Sequence, residues 1–305
     1  MSSSPTGAAS PLRRALVFGS TGIGWGIAKA LALAGAEVTV AGRRRGNEEV
    51  SGLLGILADA SERSPVVRAI GARHRFVECD GTSLASVRAL ASEAKGVDWL
   101  VMSPGVSSID GFTATGDGLD RKLQLHYFSR IHLARLLAPD MAKASADPRI
   151  LTVLSGGVHG NLTNFRDEED GEGAFELRNK GGFTLKRAAD AAGFYTDAGF
   201  ESLAREHPTI AVVHAAPGVV ASNWGNDFPI PLSLMMRFLK AIPGLTTSVD
   251  ACGEVMSGAM RAAQPGFSIV NAKGDTLPHD SIKHTDADRA YIWKRTIGIL
   301  NACSA

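Results

Sequence analysis

The sequence predicts a doubly wound α/β fold: a single domain on one parallel sheet with helices on both faces. Three observations lead there. Residues 15 to 28 read ALVFGSTGIGWGIA, an apolar run (Leu16, Val17, Phe18), a glycine turn, and then Ile27, Ala28, Leu31 and Ala32 at helical spacing. Similar short apolar runs, without the polar alternation of a half-exposed strand, recur along the chain. Helical stretches separate them, with no internal repeat, and such alternation implies one parallel sheet.

Composition bounds the function. With 305 residues and a 45% hydrophobic fraction, the chain can bury a large core in residues 12–305, leaving 1–11 as a small, polar, disordered tail. A net charge of +1 argues against a general nucleic-acid or membrane-surface role. Three cysteines, Cys79, Cys252 and Cys303, are too few for a disulfide framework and suit a reducing, cytoplasmic compartment. No run of 18 apolar residues occurs, so no integral membrane segment is expected.

The glycine turn, Gly19-Ser20-Thr21-Gly22-Ile23-Gly24, stands where a strand gives way to a helix. Glycines there keep side chains clear, so that backbone N–H groups and a helix N-terminus can face a diphosphate. An ordinary tight turn would look similar. A second strand, Glu37 to Ala41, directly after the helix completes a βαβ unit of about 30 residues and favours nucleotide binding. The strand closes in Arg43-Arg44-Arg45 with no acid at its end. An acid there would take the ribose hydroxyls, whereas arginines such as Arg43 and Arg44 offer forked donors to a 2′-phosphate. NADP(H) is therefore expected over NAD(H), against the alternative of a solvated basic turn.

The remaining elements follow in order. Val50, Leu53, Leu54, Ile56 and Leu57 mark a helix broken by Gly52 and Gly55. Phe76 to Asp80 is the third strand, and the helix after it runs from Ser83 to Ala94. Val97 to Met102 is the fourth strand and ends in the turn Ser103-Pro104-Gly105. A long helix spans Leu119 to Ala144. Arg149 to Leu154 is the fifth strand, with Ser155 at the carboxyl end, where ligands sit in open parallel sheets. Residues 159–182 are polar and glycine-rich, a functional or disordered loop in which Asp167-Glu168-Glu169-Asp170 reads as solvated, not as a metal site. A helix from about Phe183 to Glu206, a strand from Thr209 to His214, a helix from Ser248 to Ala263 and a last strand from Ser268 to Asn271 complete the pattern.

From about Leu12 to Asn223 the chain resembles the short-chain dehydrogenase/reductase family, closest to divergent fungal-type members with an LSGG turn. The resemblance implies a Rossmann-type sheet and a nicotinamide cofactor. The family's glycine motif is matched by Gly19 to Gly24, one residue shorter, and its aspartate near the adenine by Asp80. Its turn after the fourth strand is matched by Ser103, Pro104 and Gly105. Its catalytic serine is matched by Ser155, and its nicotinamide-amide segment by Pro217-Gly218-Val219-Val220-Ala221-Ser222. The region 223–247, with the apolar stretch 228–243, falls where the family carries a substrate lid; a dimer contact or surface helix would read the same.

The resemblance breaks at the family's Tyr-x-x-x-Lys. Tyr127, Tyr195 and Tyr291 are the only tyrosines, and the residues four positions on are Ile131, Gly199 and Arg295. One register puts Phe183 and Arg187 at the tyrosine and lysine places; another puts Asp190 and Phe194 there. The first is preferred for its aromatic and cation at the right spacing, although Phe183 has no hydroxyl with which to move a proton. The helix asparagine of the family is matched by His126, a candidate acid or base. His159 is a second candidate at the pocket mouth.

The expected function is that of an NADP(H)-binding oxidoreductase acting on a carbonyl or alcohol of an apolar small molecule, with no metal. Ser155, His126, Phe183 and Arg187 are its candidate catalytic residues. A non-redox lyase, isomerase or cyclase, or a silent NADP(H) sensor, are the alternatives. A homo-oligomer seamed by the two long helices is what the resemblance implies.

Overall fold

A computed structural model describes residues 12–43, 45–62, 73–179, 183–222 and 246–303. Arg44, the 1–11 tail and the apolar stretch 228–243 lie outside the described residues.

The strands are β1 (Arg14–Phe18), β2 (Glu37–Gly42), β3 (Arg75–Glu78), β4 (Trp99–Met102), β5 (Arg149–Val153), β6 (Ala211–Ala215) and β7 (Gly266–Val270). They form one sheet in the order β3-β2-β1-β4-β5-β6-β7, and every pair is parallel. The order reverses between β1 and β4, which makes the carboxyl ends of those strands the crevice where such sheets bind ligands.

Helices cover both faces. One face carries α1 (Gly22–Leu33), α2 (Asn47–Glu62) and a helix at Val249–Ala262, packed around Val17, Val38, Val101 and Val213. The other carries α3 (Leu84–Glu93), α4 (Arg121–Leu123) continuing into α5 (Ser129–Ala144), α6 (Asp167–Asp170) and α7 (Leu185–Glu206). It is centred on Leu16, Leu100, Phe128 and Ile150. With the Val249–Ala262 helix as α8, the last helix is α9 (Asp286–Ala302), which also packs on this second face.

Three elements differ from expectation. Gly52 and Gly55 do not break α2, because both face open space where a missing side chain costs only about 1 kcal/mol of helix propensity each. The loop after β5 is ordered over 159–179 and packs on α9 through Arg166–Asp288 (2.6 Å) and Arg295–Asp167 (2.6 Å). Asp167 to Asp170 thus form a short helix whose first residue is ion-paired. Helix α9 itself, begun by a Thr285–Asp288 capping box, had no expectation attached.

Helix α7 is buried without a break from Ala191 to Ala204. A helix enclosed on all sides must satisfy its polar side chains internally. Phe175 stacks on Tyr195 at 4.4 Å, His284 donates to Glu201 (2.8 Å), and Trp293 donates to Glu206 (2.7 Å). Helix α7 is therefore covered in part by α9 and by the 159–179 loop.

Candidate active site

The glycine turn lies at the end of β1 in backbone conformations that favour glycine. Gly19 has φ +122° and Gly22 φ +52°. A Cβ on Gly19 would lie 2.5 Å from Ser103 Oγ, so the absence of a side chain lets the β4 turn settle against it. Gly24 faces the same hydroxyl, Thr21 is the exposed N-cap of α1 with no side-chain cap bond, and Ile23 is half-buried behind it. The Ser103 hydroxyl is buried and has no partner among the described residues.

Of the basic run after β2, Arg43 is exposed and Arg45 turns inward. Arg45 Nη2 donates to Ser20 O (3.2 Å) and Ser20 Oγ (3.1 Å), and the guanidinium pairs with Glu49. Its Nε is buried without a partner among the described residues, and burial followed by the neighbouring Arg43 charge lowers its pKa. Only its place in the arginine run pointed to it. Asp80 is exposed at the end of β3, accepting from Thr82 N (2.9 Å) and Thr82 Oγ1 (2.8 Å).

Residues Gln124–Phe128 form a π-helical turn between α4 and α5, with His126 at its centre. His126 faces the turn after β4. It lies against Gly105, and Val106 N–H donates to its Nε2 (3.3 Å). Burial, then Arg130 and Lys122, pulls its pKa down to about 3. The ring is therefore a neutral acceptor at neutral pH, holding the turn that follows Pro104.

Arg130, one turn on, is a buried cation whose acceptors are neutral. It donates to Pro104 O (2.5 Å), Val153 O (2.8 Å), Thr152 Oγ1 (3.0 Å), Leu125 O (3.2 Å) and Met102 O (3.4 Å). It thereby ties the β4 turn to the end of β5. On the far side, Pro217 follows β6, Gly218 takes φ +69°, and Val220 bridges Thr247. Ser222 comes beside Gly22, where a Cβ would lie 3.3 Å from its own.

Ser155 sits just past β5. Its Oγ is buried and has no partner among the described residues, although the turn around it is pinned. Ser155 N–H donates to His214 Nε2 (3.2 Å) and Ser155 O accepts from Val158 N (3.0 Å). Gly160 N–H donates to Asp190 Oδ1 (2.7 Å), and Lys283 donates to His159 O. Behind the turn, Asp197 accepts from His214 Nδ1 (2.5 Å) and His159 Nε2 (2.7 Å). Burial alone would raise the Asp197 carboxyl, but the two imidazoles overcome it and hold its pKa at about 2.

The α7 residue beside Ser155 is Gly193, not Phe183 or Arg187. Phe183 precedes the helix and packs on Phe112 (5.9 Å) and Lys122 (5.4 Å). Arg187 donates to Asn164 O and lies about 9 Å of helix before Gly193. The helix begins only at the Thr184 cap, so the preferred register carries its aromatic and cation away from the serine. Asp190 of the other register holds the Ser155 turn through Gly160, and Phe194 is a core ring against Phe165. The three tyrosine hydroxyls are engaged elsewhere: Tyr127 with Thr296 (2.6 Å), Tyr195 with Phe175 O (3.1 Å) and Tyr291 with Asp167 N (2.8 Å).

The arrangement suits a dinucleotide. A helix N-terminus opens at the glycine turn, a serine hydroxyl without a partner among the described residues lies beside it, and the half-buried Arg45 edges Ser20. Among the described residues no His, Cys, Asp or Glu cluster could hold a metal ion, and no helix is long and apolar enough to cross a membrane.

Comparisons with known proteins agree with this geometry. The family model described as short chain dehydrogenase matches residues 13–164. An oxidoreductase of Emericella nidulans is 30% identical over 172 residues, 55% of this chain and 48% of that protein. An oxidoreductase of Emericella variicolor is 28% identical over 272 residues, 85% of this chain and 73% of that protein. The chain thus spans about half the length of the first relative and more of the second. Among solved structures, an uncharacterized protein from Mycobacterium paratuberculosis superposes with a TM-score of 0.64 at 19% identity, covering 95% of this chain and 93% of that one. A 3-oxoacyl reductase from Agrobacterium tumefaciens with NADP bound gives 0.57 at 19% identity, over 85% and 93% of the two chains. One from Brucella melitensis in complex with NAD gives 0.58 at 18%, over 87% and 97%.

Proposed function

We propose a function from the premise that this chain belongs to the short-chain dehydrogenase/reductase family. It is an NADP(H)-dependent oxidoreductase that interconverts a carbonyl and an alcohol on an apolar small molecule. When bound, the nicotinamide supplies or accepts the hydride. The turns Gly19–Gly24 and Ser103–Gly105 and the segment Pro217–Ser222 hold the cofactor, Asp80 flanks its adenine, and Arg43 and Arg45 favour a 2′-phosphate.

The observation that carries this reading is the Ser155 hydroxyl, buried and without a partner among the described residues, on a pinned turn at the carboxyl end of β5. Such a hydroxyl is free to donate to a substrate oxygen as charge develops on it. Arg130 adds a fixed positive charge behind the same strand end. Val158 (68% exposed) and Val219 (50%) follow β5 and β6, giving that rim an apolar character. With every phenol engaged elsewhere and His126 neutral, the substrate proton comes from water held at Ser155.

The same lack of a free phenol favours a second reading, in which the site orients a substrate for a lyase, isomerase or cyclase step or only senses NADP(H). Purified protein is titrated with NADPH and NADH, then assayed on a carbonyl panel at the nicotinamide absorbance. The first reading requires NADPH binding and turnover that Ser155→Ala lowers about 10²-fold or more without loss of binding. Conversion without net NADPH oxidation selects the second reading, and failure to bind either nucleotide rejects both.

A further inference from the structure

Behind the candidate serine stands a buried chain of polar groups from three separate elements: His159 after β5, Asp197 on α7 and His214 on β6. Asp197 and His214 are completely enclosed and His159 is 4% exposed. We propose that His214 and Asp197 are positioning residues for Ser155: Asp197 fixes the His214 tautomer, and His214 fixes the serine's main chain. This rests on the oxidoreductase reading of the same site only for its activity readout.

The hydrogen-bond logic leaves one arrangement. Ser155 N–H can only donate, so His214 Nε2 must be bare to accept it at 3.2 Å. The proton then sits on His214 Nδ1 and is donated to Asp197 Oδ1 at 2.5 Å. The β5–β6 backbone ladder reaches Leu154 N–H, which donates to Ala215 O, and the imidazole supplies the next acceptor in its place. Ser155 is therefore the first residue out of the sheet and is still held as if within it. Its N–H and O are both bonded, which leaves the hydroxyl as its unpartnered polar group among the described residues.

His159 closes the chain on the other side. Its Nε2 donates to the second Asp197 oxygen at 2.7 Å, and its Nδ1 lies 2.9 Å from Gly160 O. Gly193 allows the whole unit to close, since a Cβ there would lie 2.5 Å from Ser155 Oγ and 2.6 Å from His159 Cβ. The helix on which the family resemblance places the reacting phenol thus carries here the group that steadies the serine.

Protonating His214 would turn its Nε2 into a donor facing another donor and release Ser155. The charged and titratable groups facing the ring are Asp197 from α7, His159 from the turn after β5 and Arg130 from α5. Burial holds the His214 pKa below the ordinary histidine value against the pull of Asp197, so the anchor is intact at neutral pH.

The test combines amide hydrogen exchange without ligand and steady-state kinetics with NADPH and the best carbonyl of the panel. His214→Leu removes the acceptor, and His214→Gln keeps an acceptor that reaches Ser155 without titrating. The Ser155 amide should exchange at least 10-fold faster in His214→Leu than in wild type and within threefold of wild type in His214→Gln. Should His214→Leu fail to fold, Asp197→Asn, which frees the tautomer, takes its place with at least threefold faster exchange. In kinetics, His214→Leu (or Asp197→Asn in its stead) should lower kcat/KM at least 10-fold beside Ser155 and less than twofold in a Ser155→Ala background. His214→Gln should restore kcat/KM to within threefold and lose the acid limb of its pH profile. Unchanged Ser155 exchange, or equal losses in both backgrounds, overturns the proposal. If wild type shows no turnover, the oxidoreductase reading fails, while the exchange measurement still decides the anchor.

Discussion

Gly193 and Ser155 touch across the boundary between α7 and the turn after β5, and a Cβ on Gly193 would lie 2.5 Å from the serine oxygen. It would also lie 2.6 Å from His159 Cβ, which cannot rotate away as a hydroxyl can. Gly193→Ala should therefore destabilise by about 1–3 kcal/mol through overpacking, despite alanine's better helix propensity. Chemical denaturation checks this; a variant as stable as wild type would mean that the turn stands off the helix.

Arg45 reaches Ser20 from the end of β2 and has an unpartnered Nε among the described residues. Arg45→Ala should weaken NADPH binding about 10-fold and leave NADH within about twofold, because only the former carries a 2′-phosphate for the guanidinium. Fluorescence titration of both nucleotides measures the ratio. Equal losses would assign Arg45 to bracing the glycine turn alone.

His132 is buried on α5, and neither ring nitrogen has a hydrogen-bond partner among the described residues. Burial, then Arg88 and Arg135, lowers its pKa to about 4. A histidine whose folded pKa lies below its unfolded value of about 6.5 contributes nothing to the pH slope above that value. As pH falls from there toward 4 the unfolded chain binds the proton first, and stability drops. Denaturation at pH 7 and pH 5 should show wild type losing on the order of 1–2 kcal/mol through this residue, a loss absent in His132→Leu. At pH 7 the same variant should be equally stable or gain about 1 kcal/mol by removing unpaired polar atoms.

Phe183 lies against Phe112 and Lys122 before α7 begins. Phe183→Tyr should therefore leave reductase activity within about twofold of wild type on every carbonyl tested, since a new hydroxyl there joins the Lys122 environment and not Ser155. A 10-fold gain in kcat would restore the register in which Phe183 occupies the tyrosine place.

The sheet was readable because strands buried on both faces leave apolar runs without polar alternation: β1 and β4 do so unbroken from their second or first residue, and β5 and β6 carry one inward polar residue each, Thr152 and His214. The glycine turn was readable because it interrupts one of those runs at a helix start. The register of α7 was not, because its polar residues are buried in pairs. Asp197 and Glu201 lie inside with histidine partners, so no face of the sequence looks wet. Helix α9 escaped notice because its inward residues, Ile292, Thr296, Ile299 and Leu300, are few and one of them is polar. The partnership of His214 with Ser155 joins residues 59 positions apart and has no local signature.

That last helix gives the catalytic half of the chain an unusual dependence on its own far end. Tyr127 in the π turn bonds Thr296, and Arg166 and Asp167 are clasped by Asp288, Tyr291 and Arg295. A protein shortened before Thr285 would bare the flank of α7 to water and strip those partners away at once. Such a fragment would be sticky, prone to pair with itself along the naked flank, and poor material for measuring anything about the serine pocket.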